Sequence, residues 1–194
     1  EAVNRFLPDY CGFIIGYPKS KRSIEPEQAA ELVRGLNREK IIPVGVFVDA
    51  PVEVVSEMLL KGTIKIAQLH GNESGEYCRK LKKMTEAALI RAFTVRNEDD
   101  LTKAAESEAD LVLLDQGKGS GRAFDWSVLS SPAARRLLKE KKWFLAGGID
   151  EKNVREAIER FHPYGVDLSS SVETDGVKDP EKIRSVIETV RGIG

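Results

Sequence analysis

The chain is short of most residues that announce a chemistry. It has two cysteines, two histidines, two methionines and two tryptophans in 194 residues. Two unpatterned cysteines, Cys11 in an apolar run and Cys78 in a helical pattern, exclude a disulfide framework and suit a reducing, cytoplasmic setting. Charge of one sign is lacking too: 30 Lys and Arg against 31 Asp and Glu leave a net charge of −1, without the basic excess of a nucleic-acid binder. The runs Lys80–Lys83 and Lys139–Lys142 carry no interleaved aromatics and read as solvated helix ends. No apolar stretch approaches the ~18 residues of a membrane span. Gly-x-Gly-x-x-Gly between a strand and a helix is missing, which removes a dinucleotide site. No His, Cys, Asp and Glu set has metal-ligand spacing.

What is present is a rhythm. Seven apolar runs recur: Tyr10–Ile15, Ile42–Val48, Ile64–Leu69, Ala87–Phe93, Leu111–Leu114, Trp143–Leu145 and Val166–Leu168. None alternates between polar and apolar, so they read as parallel strands covered on both faces. Helical patterns lie between them. Pro26 and Pro51 sit in plausible first turns, Gly62 is a stop, Asn97 is a cap, and Asp150 and Asp179 begin the last two helices. The strand-to-strand step is about 22–32 residues, the size of a βα unit. Repetition without a composition break predicts one α/β domain over residues 1–194. Small-residue loops after the last two runs favour a barrel over a doubly wound sheet. Seven strands leave an eight-stranded barrel one short, and Glu1–Phe6 reads as the tail of a helix. The expectation is therefore a (β/α)8 barrel whose first strand and part of whose first helix are absent from these residues, leaving either a gapped barrel or a segment outside them.

Polar residues gather where the runs end. Gly147-Gly148 follows one run and precedes a helix, where glycine lets backbone N–H groups approach a phosphate; the plainer reading is a tight turn. Ser169-Ser170-Ser171 after the next run tips the balance toward phosphate. Asp115 closes Leu111–Leu114, where partial desolvation would raise its pKa toward that of a general acid; a helix cap or loop salt bridge is the alternative. Gly117–Arg122 reads as a mobile loop over a substrate or as a plain connection, with Phe124-Asp125-Trp126 as its anchor and Asp125 as a helix cap. Arg22 suits a carboxylate, or belongs to a solvated basic loop. For His70 the roles of base, substrate contact and structural residue all stay open, while His162 beside Pro163 reads as structural.

Four stretches together resemble phosphoribosylanthranilate isomerase: Tyr17-Pro18-Lys19-Ser20-Lys21-Arg22, Gln68-Leu69-His70-Gly71, Leu113-Leu114-Asp115 with Phe124-Asp125-Trp126, and Asp167-Leu168-Ser169-Ser170-Ser171-Val172-Glu173. The resemblance covers nearly the whole chain. It implies a cofactor-free (β/α)8 barrel in tryptophan biosynthesis. It implies the Amadori rearrangement of N-(5-phosphoribosyl)anthranilate to 1-(2-carboxyphenylamino)-1-deoxyribulose 5-phosphate. It makes Asp115 the general acid, Arg22 the ligand of the anthranilate carboxylate, and His70 and Asp167 substrate neighbours. Gly147, Gly148, Ser169, Ser170 and Ser171 become the phosphate site. The implied partner is a small phosphoribosyl substrate, with neither nucleic acid nor membrane. A monomer or homodimer is implied, with association to neighbouring pathway enzymes a further expectation.

The family's base is a Cys in a Lys-x-Cys-Gly motif on its first strand. Cys11-Gly12 is not that motif, because it runs straight into the Tyr17–Arg22 loop of the second strand. Where the family often has Gly, this chain has Ser171. Two rival readings follow. One is an inactive truncated barrel that only binds a phosphosugar. The other is a further phosphosugar isomerase or epimerase, which would want metal-ligating His and Asp residues at strand ends, where only His70 is available.

Overall fold

A computed structural model describes residues 1–115 and 126–193. The Gly117–Arg122 loop, Phe124 and the cap assigned to Asp125 lie outside the described residues. The elements alternate along the chain. They are α1 (Ala2–Phe6), β1 (Tyr10–Ile14), α2 (Pro26–Arg34), β2 (Ile42–Phe47), α3 (Val52–Leu60), β3 (Ile66–Leu69), α4 (Gly75–Thr85) and β4 (Ala88–Thr94). Then come α5 (Glu98–Ala105), β5 (Leu111–Asp115), α6 (Pro132–Glu140), β6 (Lys142–Leu145), α7 (Val154–Phe161), β7 (Gly165–Val166), a small hairpin β8 (Glu173–Thr174) and β9 (Val177–Lys178), and α8 (Pro180–Arg191).

Two compact units divide the chain, the first built mainly from Val3–Ala92 and the second from Phe93–Ser107 and Leu111–Gly194. In the first, β1, β2, β3 and β4 pair in parallel and in chain order, with registers such as Phe13↔Gly45, Gly45↔Ala67 and Ala67↔Leu89. In the second, β5, β6 and β7 do the same, through Leu113↔Phe144 and Leu145↔Val166. Parallel neighbours place every strand's carboxyl end on one edge of its sheet, so the loops that follow the strands share that edge.

Each unit has its own core. Phe47, Val55, Ile64, Leu69, Leu81 and Leu89 are buried in the first. Val112, Leu114, Leu137, Trp143, Leu145, Val154 and Phe161 are buried in the second, where the Trp126 and Phe161 rings pack in a T-shape with centroids 5.6 Å apart. All four residues of β3 are buried, as are the first four of β5, which is the burial that near-continuous apolar runs foretold.

The helix signals hold locally. Asn97 and Asp179 cap α5 and α8 by accepting backbone N–H bonds, and Ser74 and Ser131, which the sequence reading did not single out, do the same for α4 and α6. Pro26 stands in the first turn of α2, whereas Pro51 is the residue before α3. Lys82 and Lys83 lie in the last turn of α4 and Lys139 in that of α6, where cations complement the helix dipole. His162 ends α7 in a left-handed conformation, φ 46°, an exposed backbone role.

Two boundaries differ from the sequence reading. Asp150 does not start α7. It accepts N–H bonds from Lys152 and Asn153 in a turn, and the helix begins after Asn153. Of the run Val166–Leu168 only Val166 lies in β7 (Gly165–Val166), because the chain leaves the sheet for a tight turn over Ser170–Val172.

Candidate active site

The second unit brings together most of the residues singled out in sequence. Asp115 is the last residue of β5 and is half-buried, with its carbonyl accepting the Val95 N–H at 2.8 Å. One strand over, the Ala146 N–H donates to the Leu114 carbonyl at 2.9 Å, so the chain continues the ladder up to Gly147. Gly147 and Gly148 then have φ of 76° and 75°, two successive left-handed residues that disfavour any side chain. One strand further, the Asp167 N–H donates to the Leu145 carbonyl at 2.9 Å, and Ser169–Ser171 follow. Asp115, the Gly147-Gly148 loop and the Ser169–Ser171 loop thus leave the same carboxyl edge of three adjacent strands. Among the described residues, the N–H groups of Gly147, Gly148 and Ser170 donate to no other group. Peptide donors of this kind on an edge beside a carboxyl group can receive a phosphate while that group exchanges a proton.

Arg22 and His70 belong to the first unit. Arg22 is exposed in the turn after β1, which is closed by the Tyr17 N–H on the Ser23 hydroxyl at 2.7 Å and the Arg22 N–H on the Ser20 hydroxyl at 3.2 Å. His70 directly follows β3. Its N–H donates to the Phe47 carbonyl, and its Nδ1 lies 3.2 Å from Nε2 of the buried Gln68. With Gln68 donating, the ring proton belongs on the other nitrogen, Nε2.

Next to His70 lies a network that sequence reading missed. Glu73, 5% exposed, accepts the Asp49 N–H on Oε1 at 2.8 Å and the Gly71 N–H on Oε2 at 2.9 Å. Asp49 in turn accepts the Asn72 N–H at 2.6 Å and the Asn72 side-chain amide at 3.3 Å. Two carboxylates thereby tie the loop after β2 to the loop after β3. Gly71 is required by close approach: a Cβ there would sit 2.5 Å from Asp49 Oδ1 and 2.6 Å from Asp49 N. The only sequence signal was acids shortly after two apolar runs, which is also how solvated loops read. Removing the Glu73 carboxylate by Glu73→Ala leaves two backbone donors without an acceptor and should lower the unfolding free energy by about 1–3 kcal/mol. Glu73→Gln, with one acceptor oxygen kept, should recover part of that in urea denaturation. An unchanged midpoint for the alanine variant would show that the loops are held otherwise.

Neither cysteine stands on the carboxyl edge. Cys11 is the second residue of β1. Cys78 is fully buried in α4, and burial pushes its thiol pKa up, the opposite of what a thiolate base needs. Tyr77 beside it, with its hydroxyl on the Ala50 carbonyl at 2.9 Å, is likewise shifted upward by burial.

Comparison with known proteins gives one answer. The family model described as N-(5'phosphoribosyl)anthranilate (PRA) isomerase matches residues 7–189. The N-(5'-phosphoribosyl)anthranilate isomerase of Caldanaerobacter subterraneus subsp. tengcongensis is 40% identical over 196 residues, covering 98% of this chain and 91% of that one. Among solved structures, monomers of the dimeric phosphoribosylanthranilate isomerase of Thermotoga maritima superpose with a TM-score of 0.83 at 34% identity, covering 98% of this chain and 91% of that chain. A phosphoribosyl anthranilate isomerase in complex with reduced 1-(o-carboxyphenylamino)-1-deoxyribulose 5-phosphate superposes with a TM-score of 0.82 at 34% identity, with the same coverage.

Proposed function

The chain belongs to the N-(5'-phosphoribosyl)anthranilate isomerase family, and from that membership we propose how its residues divide the reaction. The protein is an isomerase of tryptophan biosynthesis that converts N-(5-phosphoribosyl)anthranilate to 1-(2-carboxyphenylamino)-1-deoxyribulose 5-phosphate. The observation that carries this is the family match across residues 7–189.

The Amadori rearrangement needs an acid and then a base. Asp115 is the acid. It protonates the ribose ring oxygen, the C1′–O bond breaks, and a Schiff base forms with the anthranilate nitrogen. A base then removes the C2′ proton, and the resulting enolamine tautomerises to the ketone. Gly147, Gly148, Ser169, Ser170 and Ser171 receive the phosphate on backbone donors, the arrangement typical of loops after the last two strands of a barrel. Asp167, one residue past β7, faces the sugar. Arg22 takes the anthranilate carboxylate as a planar, permanently charged donor. His70 contacts substrate, with Gln68 fixing its tautomer. No step calls for a cofactor.

The fold proposed is a single (β/α)8-barrel domain over residues 1–194. The family resemblance gives the base as a Cys in a Lys-x-Cys-Gly motif, which Cys11-Gly12 does not match. Neither Cys11, in β1, nor the buried Cys78, in α4, stands where Asp115 stands on its own strand. The proposed setting is the cytoplasm, in keeping with the absence, among the described residues, of a helix long and apolar enough to cross a membrane. The proposed state is a monomer or homodimer, since a relative of known structure is dimeric; association with neighbouring pathway enzymes is part of the same proposal.

Complementation tests activity and base together. Residues 1–194 alone should fail to restore growth of an isomerase-deficient tryptophan auxotroph, whereas a version preceded by a Lys-x-Cys-Gly strand should restore it. Growth on the short form would place the base within these residues, with His70 the first candidate. Failure of the extended form would count against the isomerase assignment for this chain.

A further inference from the structure

Each loop of the proposed phosphate site gives a backbone carbonyl to a side-chain donor. Lys178, on β9, places its ammonium 2.7 Å from the Ser169 carbonyl oxygen and 2.9 Å from the Glu173 carboxylate, whose side chain is 7% exposed. Asn153 places its Nδ2 2.8 Å from the Gly148 carbonyl oxygen, while its Oδ1 accepts the Asp150 N–H at 2.9 Å. That second bond fixes the amide's orientation, because the reverse would set an NH₂ against an N–H. Asn153 precedes α7 but spends no side-chain bond on capping it.

The carbonyl of residue i and the N–H of residue i+1 belong to one planar trans unit and point in opposite directions. Holding the Ser169 carbonyl toward Lys178 therefore turns the Ser170 N–H away from Lys178. Holding the Gly148 carbonyl toward Asn153 turns the Ile149 N–H the opposite way. Among the described residues neither N–H donates to any other group. Ile149 is pinned by its own side chain, 2% exposed in the core, so its peptide cannot swing freely. Lys178 does a second thing. It neutralises Glu173, whose bare carboxylate two residues after Ser171 would repel a phosphate. The hairpin that carries Lys178 is fixed by the Lys182 ammonium on the Glu173 carbonyl at 2.8 Å and the Thr174 hydroxyl on Asp179 at 2.6 Å.

We propose that Lys178 and Asn153 are positioning residues of the phosphate site, each drawing back one loop carbonyl so that the N–H groups of Ser170 and Ile149 face the phosphate monoester. The inference rests on the reading that these two loops bind phosphate.

The test uses inorganic phosphate on the intact protein, followed by calorimetry and by amide ¹H–¹⁵N spectra. Phosphate should shift the Ile149 and Ser170 amides of the wild type. In Lys178→Met the phosphate Kd should rise about tenfold, with the Ser170 response lost. In Asn153→Ala, which changes no charge, the Kd should rise about threefold to tenfold, with the Ile149 response lost. In the form preceded by a Lys-x-Cys-Gly strand, the KM for the phosphoribosyl substrate should rise in step, with kcat nearly unchanged. Phosphate that shifts neither amide of the wild type would overturn the phosphate-site reading itself. Phosphate that shifts both amides with unaltered Kd in the variants would overturn only the positioning role. The loops are probed separately, so a variant that fails to fold, judged by amide dispersion, leaves the other to decide.

Discussion

Asp115→Asn, in the form preceded by a Lys-x-Cys-Gly strand, should lower kcat by about 10²–10⁴-fold while KM stays close to that of the wild type. Asn keeps the shape and the hydrogen-bonding reach of Asp but has no proton to deliver to the ring oxygen. The loss therefore falls on the transition state rather than on binding. The backbone around the position should not change, since the Asp115 carbonyl holds the Val95 N–H and the strand residues before it are buried. Steady-state kinetics with a folded variant decide the matter. Near-wild-type kcat would remove Asp115 from the mechanism, and a large rise in KM with intact kcat would make it a binding residue instead.

The second large effect is on stability. Leu145→Ala should lower the unfolding free energy by about 2–5 kcal/mol. Leu145 is fully buried and ends β6, paired with Leu114 on one side and Val166 on the other. Its side chain joins the cluster of Trp143, Val154, Phe161 and Val172, so truncation leaves a cavity whose walls come from strands and helices that cannot all relax. The urea midpoint should drop with little change in slope. Because the Leu145 carbonyl also holds the Asp167 N–H, the strand end that starts the serine loop should loosen with it. A shift below about 1 kcal/mol would mean that the site collapses around the smaller residue, against the usual cost of such cavities.

The expected sites differ in how much of them could be read in advance. The place of Asp115, Gly147-Gly148 and Ser169–Ser171 on a carboxyl edge was legible because each lies at or just past the end of an apolar run. A parallel strand delivers whatever follows it to the sheet's carboxyl edge, so position in the chain translates into position on that edge. Asn153 and Lys178 were not legible. One looks like a helix cap and the other like a solvated cation, and only the folded loops show their donors turned onto the Gly148 and Ser169 carbonyls. Glu73 was missed for a related reason. An acid four residues past a strand reads as surface, and it becomes a buried clamp only when the Asp49 and Gly71 backbones converge on it.

The amino-acid sequence alone determined the periodic order of strands and helices, the caps at Asn97 and Asp179, and the family, because these depend on local pattern: hydrophobic runs, proline and glycine placement, and short motifs. Tertiary structure alone decided where the seventh run stops being strand, why α7 starts at Val154 rather than near Asp150, and which polar side chains hold the loops. Those outcomes turn on hydrogen bonds between residues up to 24 positions apart, as between Asp49 and Glu73, and no local pattern encodes which distant backbone donor a carboxylate or an amide will meet.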